Sequence, residues 1–146
     1  MILRAARATD AGAGGGILSE FIDTTDWMPR IHTRAEDLSF AGMMIARNWV
    51  TVAEEEGAVR GFAACEGADL TALYVAGQAR RRGIGGALLS TLKESRKMLE
   101  LWTFQRNTQA QRFYIRHGFV EVERSDGARN DEKLPDVRFV WNGEAQ

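Results

Sequence analysis

Leu73-Tyr74-Val75-Ala76-Gly77-Gln78-Ala79-Arg80-Arg81-Arg82-Gly83-Ile84-Gly85-Gly86-Ala87-Leu88-Leu89 is the stretch on which the reading of this chain turns. An apolar strand ends at Val75 and a basic, glycine-rich turn follows. From Gly83 a helix is predicted to run to Met98, with Ile84, Ala87, Leu88, Thr91, Leu92 and Ser95 on one i, i+3, i+4 face. The first turn of a helix has backbone N–H groups without intrahelical acceptors and a partial positive charge, so it attracts anions. Gly83, Gly85 and Gly86 remove side chains that would hold a phosphate off those amides. Arg80, Arg81 and Arg82 add positive charge at the rim. The segment reads as a pyrophosphate cradle; the plainer alternative is an arginine-bearing surface turn before a closely packed helix. A nucleotide P-loop needs Lys and then Ser or Thr after its glycines, where this chain has Ala87 and Leu88. A dinucleotide fingerprint needs a third glycine where Leu88 stands.

Outward from this segment the chain alternates strand and helix signals. Ile2 to Ala6 reads as a first strand. Thr9 and Asp10 look like a helix start. Gly12, Gly14, Gly15 and Gly16, each worth about 0.8–1 kcal/mol against a helix, argue against a strong one, and the helix is expected to resume through Ile17, Leu18 and Phe21. Thr33 and Glu36 form a T-x-x-E capping box opening a second helix through Leu38, Phe40, Met43 and Met44. Trp49 to Val52 and Val59 to Glu66 make a hairpin around a turn at Glu54 to Gly57. Leu70 to Val75 and Leu99 to Phe104 are further strands, Thr108 to Arg116 a helix closed by Gly118, and Phe119 to Glu123 and Val137 to Trp141 closing strands. The order β-α-α-β-β-β-α-β-α-β-β implies an α/β sandwich, a mixed sheet flanked by helices.

The chain has 146 residues without a linker, a repeat or a break in composition, so one domain over residues 1–146 is expected. A formal net charge of −1 gives no global positive field for nucleic acid or an anionic membrane. The single cysteine, Cys65, lies in the apolar run from Phe62 and reads as a buried, inert thiol; no intrachain disulfide or thiolate metal cluster is possible. Neither a signal-peptide core nor an apolar run of membrane-spanning length is visible, which predicts a cytoplasmic protein.

Arg80-x-x-Gly83-x-Gly85 after an apolar strand resembles the acyl-CoA signature of the GCN5-related N-acetyltransferase (GNAT) superfamily. Asn107-x-x-Ala110-x-x-Phe113-Tyr114-x-x-x-Gly118-Phe119 is similar to that family's later helix segment, in the right order and spacing. The resemblance covers roughly Leu70 to Val122. It implies a GNAT-like, mostly antiparallel central sheet, acetyl-CoA as acetyl donor, and no metal. The amides of Arg81 to Gly86, Ile84 among them, are implied to hold the coenzyme's pyrophosphate, and Leu73, Tyr74 and Val75 its pantetheine. Asn107 is implied to contact the cofactor or cap its helix, and both can hold.

The reaction implied is direct attack of an amine on the thioester within a ternary complex. It needs a base for the amine, a donor for the oxyanion and an acid for the leaving thiolate. The resemblance assigns the acid to Tyr114, a phenol protonated at neutral pH; a core aromatic is its other reading. The glutamate that some relatives carry five residues before the asparagine is Trp102 here. Glu66 and Asp69, near the hairpin and the next strand, are the base candidates. Trp27, His32 and Asp136 are candidates for the acceptor site, with Asp131 and Glu132 also placed before the last strand. His117 reads as a helix-end cation. The expected acceptor is a small-molecule amine, the alternatives being a protein amine or a binding module without turnover. Members of the family often form homodimers, so a homodimer is carried as an expectation without an interface signature.

Overall fold

The computed structural model describes residues 1–143. Its elements are β1 (Ile2–Ala5), α1 (Ala11–Thr24), α2 (Arg34–Ala46), β2 (Val50–Glu55), β3 (Ala58–Glu66), β4 (Asp69–Val75), α3 (Ile84–Glu94), β5 (Met98–Phe104), α4 (Thr108–Arg116), β6 (Val120–Ser125) and β7 (Asp136–Asn142). The order of helices and strands is the one the sequence implies. The capping box forms: the Glu36 N–H donates to Thr33 Oγ1 at 3.1 Å and the Thr33 N–H to Glu36 Oε1 at 2.9 Å. The β2–β3 turn takes positive φ at Glu56 (53°) and Gly57 (77°), the twist that a tight hairpin needs.

Two helices depart from expectation. The run of glycines does not delay α1, which begins at Ala11. A Cβ on Gly15 would lie 2.8 Å from Leu38 Cα, so glycine there lets α1 and α2 touch backbone to backbone, and packing outweighs propensity. Helix α3 stops at Glu94 rather than Met98. The Arg96 guanidinium folds back onto the Leu92 carbonyl (3.3 Å) and reaches the Gly67 carbonyl (2.9 Å), which ends the helix and releases Met98 into β5.

The seven strands among the described residues form one sheet in the order β1-β2-β3-β4-β5-β7-β6. Neighbours are antiparallel except β4 and β5, which run parallel. That parallel pair has a single register match, Asp69 with Glu100, beyond which the strands diverge. Two cores form. One, on the side of α3 and α4, gathers Leu88, Leu89, Leu92, Leu99, Phe119, Val137 and Phe139 with the buried Cys65. The other gathers Ile17 of α1, Met44 and Ile45 of α2, and Val52, Phe62 and Ala72 of the sheet. No helix among the described residues is long and apolar enough to cross a membrane.

Candidate active site

The divergence of β4 and β5 opens a cleft of about 100 Å³, walled by residues 70–74 and 101–104, by Phe21 of α1, and by Asn107, Ala110 and Tyr114 of α4. A groove of about 220 Å³ continues past Leu73, Tyr74, Val75 and Phe113 to Arg80 and Gly85. There α3 begins. Gly83 takes φ 80° and provides no side-chain cap. The first intrahelical bond runs from the Ala87 N–H to the Gly83 carbonyl at 3.0 Å. The amides of Ile84, Gly85 and Gly86 therefore lack acceptors within the helix.

The three glycines do different work. Gly83 is the one whose backbone demands glycine, and open space surrounds its Cβ position. A Cβ on Gly85 would stand 3.3 Å from the Phe113 ring, and one on Gly86 3.1 Å from the His117 ring. Those two admit α4 against α3, so their bareness is first a packing requirement and only second an opening toward a ligand. Ile84 buries its side chain and can offer only its amide. Arg82 is paired with Glu55, and Arg80 Nε donates to the Val75 carbonyl at 3.4 Å. Arg81 is exposed, with φ 66°. Acceptor-free amides at the end of a groove, with arginines beside them, fit a diphosphate carried on a long, thin chain.

Tyr114 is enclosed by Phe113, Phe119 and Phe139, with ring centroids at 5.2, 5.3 and 6.3 Å. It lines both the cleft and the groove, and its hydroxyl has no hydrogen-bond partner among the described residues. Burial, and then the neighbouring Tyr74 and Cys65, push the phenol well above its usual range, so it holds its proton at neutral pH. Asn107 caps α4, its Oδ1 accepting the Ala110 N–H at 3.1 Å, while it also lines the cleft. Tyr74 packs on the opposite face, 5.2 Å from Phe21 and 5.8 Å from Phe62. Burial, followed by the charges of Glu132 and Asp37, pushes Tyr74 up to about 12.

A second cavity, of about 500 Å³, shares Phe21, Tyr74 and Phe104 with the cleft. Leu18, Ile22, Met28 and Phe40 make it apolar, and Glu36, Asp131 and Glu132 give it an acidic lining beside His32. His32 stands between the start of α2 and the loop of residues 126–135, with Nδ1 3.7 Å from Glu36 and Nε2 3.6 Å from Asp131. Among the described residues no group of three or more His, Cys, Asp or Glu side chains is arranged to hold a metal ion.

Several residues singled out from the sequence stand elsewhere. Asp69 lies at the closed end of the cleft, hydrogen-bonded to Glu100, which raises its pKa; Arg138 in turn holds Glu100. Leu73 lies four positions along β4 from Asp69, roughly 13 Å at about 3.3 Å per residue. Glu66 pairs with Asp69 across the β3–β4 turn and is exposed. Neither carboxylate lines the cleft or either cavity joined to it, because both lie where β4 enters the sheet rather than where it leaves. Asp136 is buried, accepting hydrogen bonds from Ser125 Oγ and from Asn130 Nδ2 (3.2 Å); it fastens the loop of residues 126–135 instead of facing the cavity. Trp27 stands one layer back, packed edge-on against Phe104 at 5.7 Å. His117 is no helix-end cation: burial, then Lys93 and Arg116, lower its pKa, and it stacks on Phe113 at 4.5 Å. Glu36, Phe21 and Phe104 carry no sign of this placement in the sequence: the capping pattern accounts fully for Glu36, and the two phenylalanines carry only core signals.

Known proteins align with this arrangement. The family model described as the acetyltransferase (GNAT) domain matches residues 46–121, more than half of the chain. A curated relative, the peptidyl-lysine N-acetyltransferase YiaC of Escherichia coli K12, is 41% identical over 98 residues, which cover 66% of this chain and 64% of the relative's length. Among solved structures, apo YjaB from Escherichia coli superposes with a TM-score of 0.80 at 22% identity, covering 97% of this chain and 98% of that one. YncA from Salmonella typhimurium, described as a putative acetyltransferase with its cofactor acetyl-CoA, superposes with a TM-score of 0.76 at 19% identity, covering 98% and 94%. At these identities the two structures speak for the fold.

Proposed function

The chain belongs to the GNAT acetyltransferase family, and on that premise we propose that it transfers the acetyl group of acetyl-CoA to a primary alkylamine, as a single catalytic domain in the cytoplasm. The observation that carries this reading is the meeting of two unlike cavities at Phe21, Tyr74 and Phe104. One leads to acceptor-free amides; the other is apolar with acidic groups, which suits an alkyl chain ending in an ammonium. Bound acetyl-CoA supplies an activated thioester. The chain's own groups do the rest. The amides at the start of α3 and Arg81 hold the diphosphate, and the edge of β4 at Leu73 to Val75 orients the pantetheine. The same edge supplies a backbone N–H to the oxyanion.

Glu36, Asp131 and Glu132 draw the ammonium in. We assign proton removal from the amine to Glu132, whose charge acts on the Tyr74 phenol at the junction. Tyr114 then protonates the departing sulfur from its hydroxyl. A binding module without turnover would have no use for an unpartnered, protonated hydroxyl in the cleft.

A lysine side chain of a protein is the second reading, favoured by the 41% identity to a peptidyl-lysine N-acetyltransferase. A small alkylamine and a lysine side chain present the same ammonium on methylenes, so the choice falls to experiment. Release of free coenzyme A thiol is measured with alkylamines, polyamines, amino acids, aminoglycosides and lysine peptides. Turnover is expected with a primary amine on an alkyl chain. No thiol release with any acceptor, together with no binding of acetyl-CoA, would sink the proposal.

A further inference from the structure

Helix α1 reaches the diphosphate turn through one side chain. Glu20 Oε1 accepts the Gly77 N–H at 2.6 Å, joining residues 57 positions apart. Gly77 opens a short 3-10 turn, Gly77–Ala79, that leads from β4 toward α3. A Cβ at Gly77 would lie 3.3 Å from that carboxylate oxygen and 3.5 Å from its carbon, so glycine leaves the room in which the carboxylate sits. Upstream, the Ala76 N–H is tied to the Arg60 carbonyl at 2.8 Å, and downstream Ala79 is buried. Beyond Ala79 come the exposed residues 80–83, with positive φ at Arg81 (66°) and Gly83 (80°). Such a stretch loses backbone freedom when it closes on a ligand, at about 1–2 kcal/mol per residue fixed. Anything that holds its start in place beforehand lessens the cost of binding.

We propose that Glu20 is a positioning residue for the diphosphate turn, its carboxylate accepting the Gly77 N–H so that residues 80–86 are held ready for the coenzyme. This rests on the reading of the turn as the acetyl-CoA site. Its role is that of an acceptor and not of a charge. A negative carboxylate near a diphosphate repels it, so glutamine, which keeps an acceptor oxygen at the same reach, should serve as well. Aspartate keeps the charge and loses the reach. Phe21, the next residue on α1, lines the cleft, the groove and the acceptor cavity, so one helix sets both the donor turn and the acceptor wall.

The test compares wild type, Glu20→Ala, Glu20→Asp and Glu20→Gln with two donors: acetyl-CoA, and S-acetylpantetheine, which lacks the diphosphate. Alanine and glutamine are both strong helix formers, so α1 should persist, and melting curves without ligand check this. Calorimetry is expected to show acetyl-CoA binding weakened roughly five- to tenfold in the Ala and Asp variants, the worth of one hydrogen bond. The Gln variant should stay within about twofold of wild type, and kcat and the KM for S-acetylpantetheine should be unmoved. Unchanged acetyl-CoA affinity in Glu20→Ala would overturn the proposal, as would equal losses with both donors or a Gln variant as weak as Ala. If wild type itself binds no acetyl-CoA, the functional reading fails instead, and the two failures are told apart.

Discussion

A phenol surrounded by Phe113, Phe119 and Phe139 gives up its proton only to a partner that gains negative charge beside it, and a leaving thiolate is such a partner. Tyr114→Phe keeps the ring packing and removes only the hydroxyl, which bonds to nothing among the described residues. We expect kcat to fall by about 10²-fold or more, with the affinity for acetyl-CoA nearly intact and the melting temperature unchanged. Unaltered turnover would return Tyr114 to the core. At this scale the sequence spoke unevenly. Tyr114 and Asn107 sit in a motif with fixed helical spacing, so their address could be read in advance. Asp136 and Trp27 could not be told from Asp131 and Glu132, because a loop without periodicity gives no sign of which way a side chain turns.

Two helix pairs show packing deciding what propensity leaves open. In α1, Gly15 meets the Leu38 backbone, whereas Gly16 has nothing within 4 Å of its Cβ position. Gly16→Ala is expected to stabilise the protein by about 0.5–1 kcal/mol and Gly15→Ala to destabilise it by about 1–3 kcal/mol, both measured by denaturant unfolding. Equal effects from the two would contradict the close crossing. Where α3 meets α4, the His117 ring fills the space beside Gly86, and burial holds it neutral. Its folded pKa lies below the unfolded value of about 6.5, so under that pH the unfolded chain binds a proton the native one refuses. The contribution of His117 is then whole above about pH 6.5 and shrinks as the pH falls. Melting temperatures between about pH 7.5 and 5.5, where carboxylates stay ionised, should decline less in His117→Gln than in wild type. An identical decline would mean the imidazole titrates freely. The helix starts and stops were legible where a local device sets them, as Thr33 and Glu36 do for α2. The end of α3 was not, since it depends on Arg96 reaching a carbonyl of the β3–β4 turn.

Seen whole, the molecule is a sheet whose halves, β1–β4 and β5–β7–β6, are joined through one register match at Asp69 and Glu100, with a cleft beyond it. A ligand lying in that cleft and along the groove touches both halves, so binding is coupled to unfolding. At about 100 times its Kd, acetyl-CoA should stabilise the protein by about 2.7 kcal/mol, seen as a rise in melting temperature. No rise at millimolar concentration would remove the donor from this site. The element order made the sandwich legible, since each strand and helix carries its own period. The divergence of β4 from β5 was not legible in the residues themselves. Nothing in the residues of β4 distinguishes a strand that loses its neighbour from one that keeps it. The acidic cavity was hidden for a related reason: it assembles from α1, α2 and the loop of residues 126–135, far apart in the chain.

Cys65, enclosed in the core beside α3 with its pKa raised by burial, has a practical consequence. The folded chain is blind to disulfide dyes that react with thiolates, so colour developing under native conditions counts product molecules alone. In denaturant the same dye would read one equivalent per polypeptide and so report the fraction of chains that have opened.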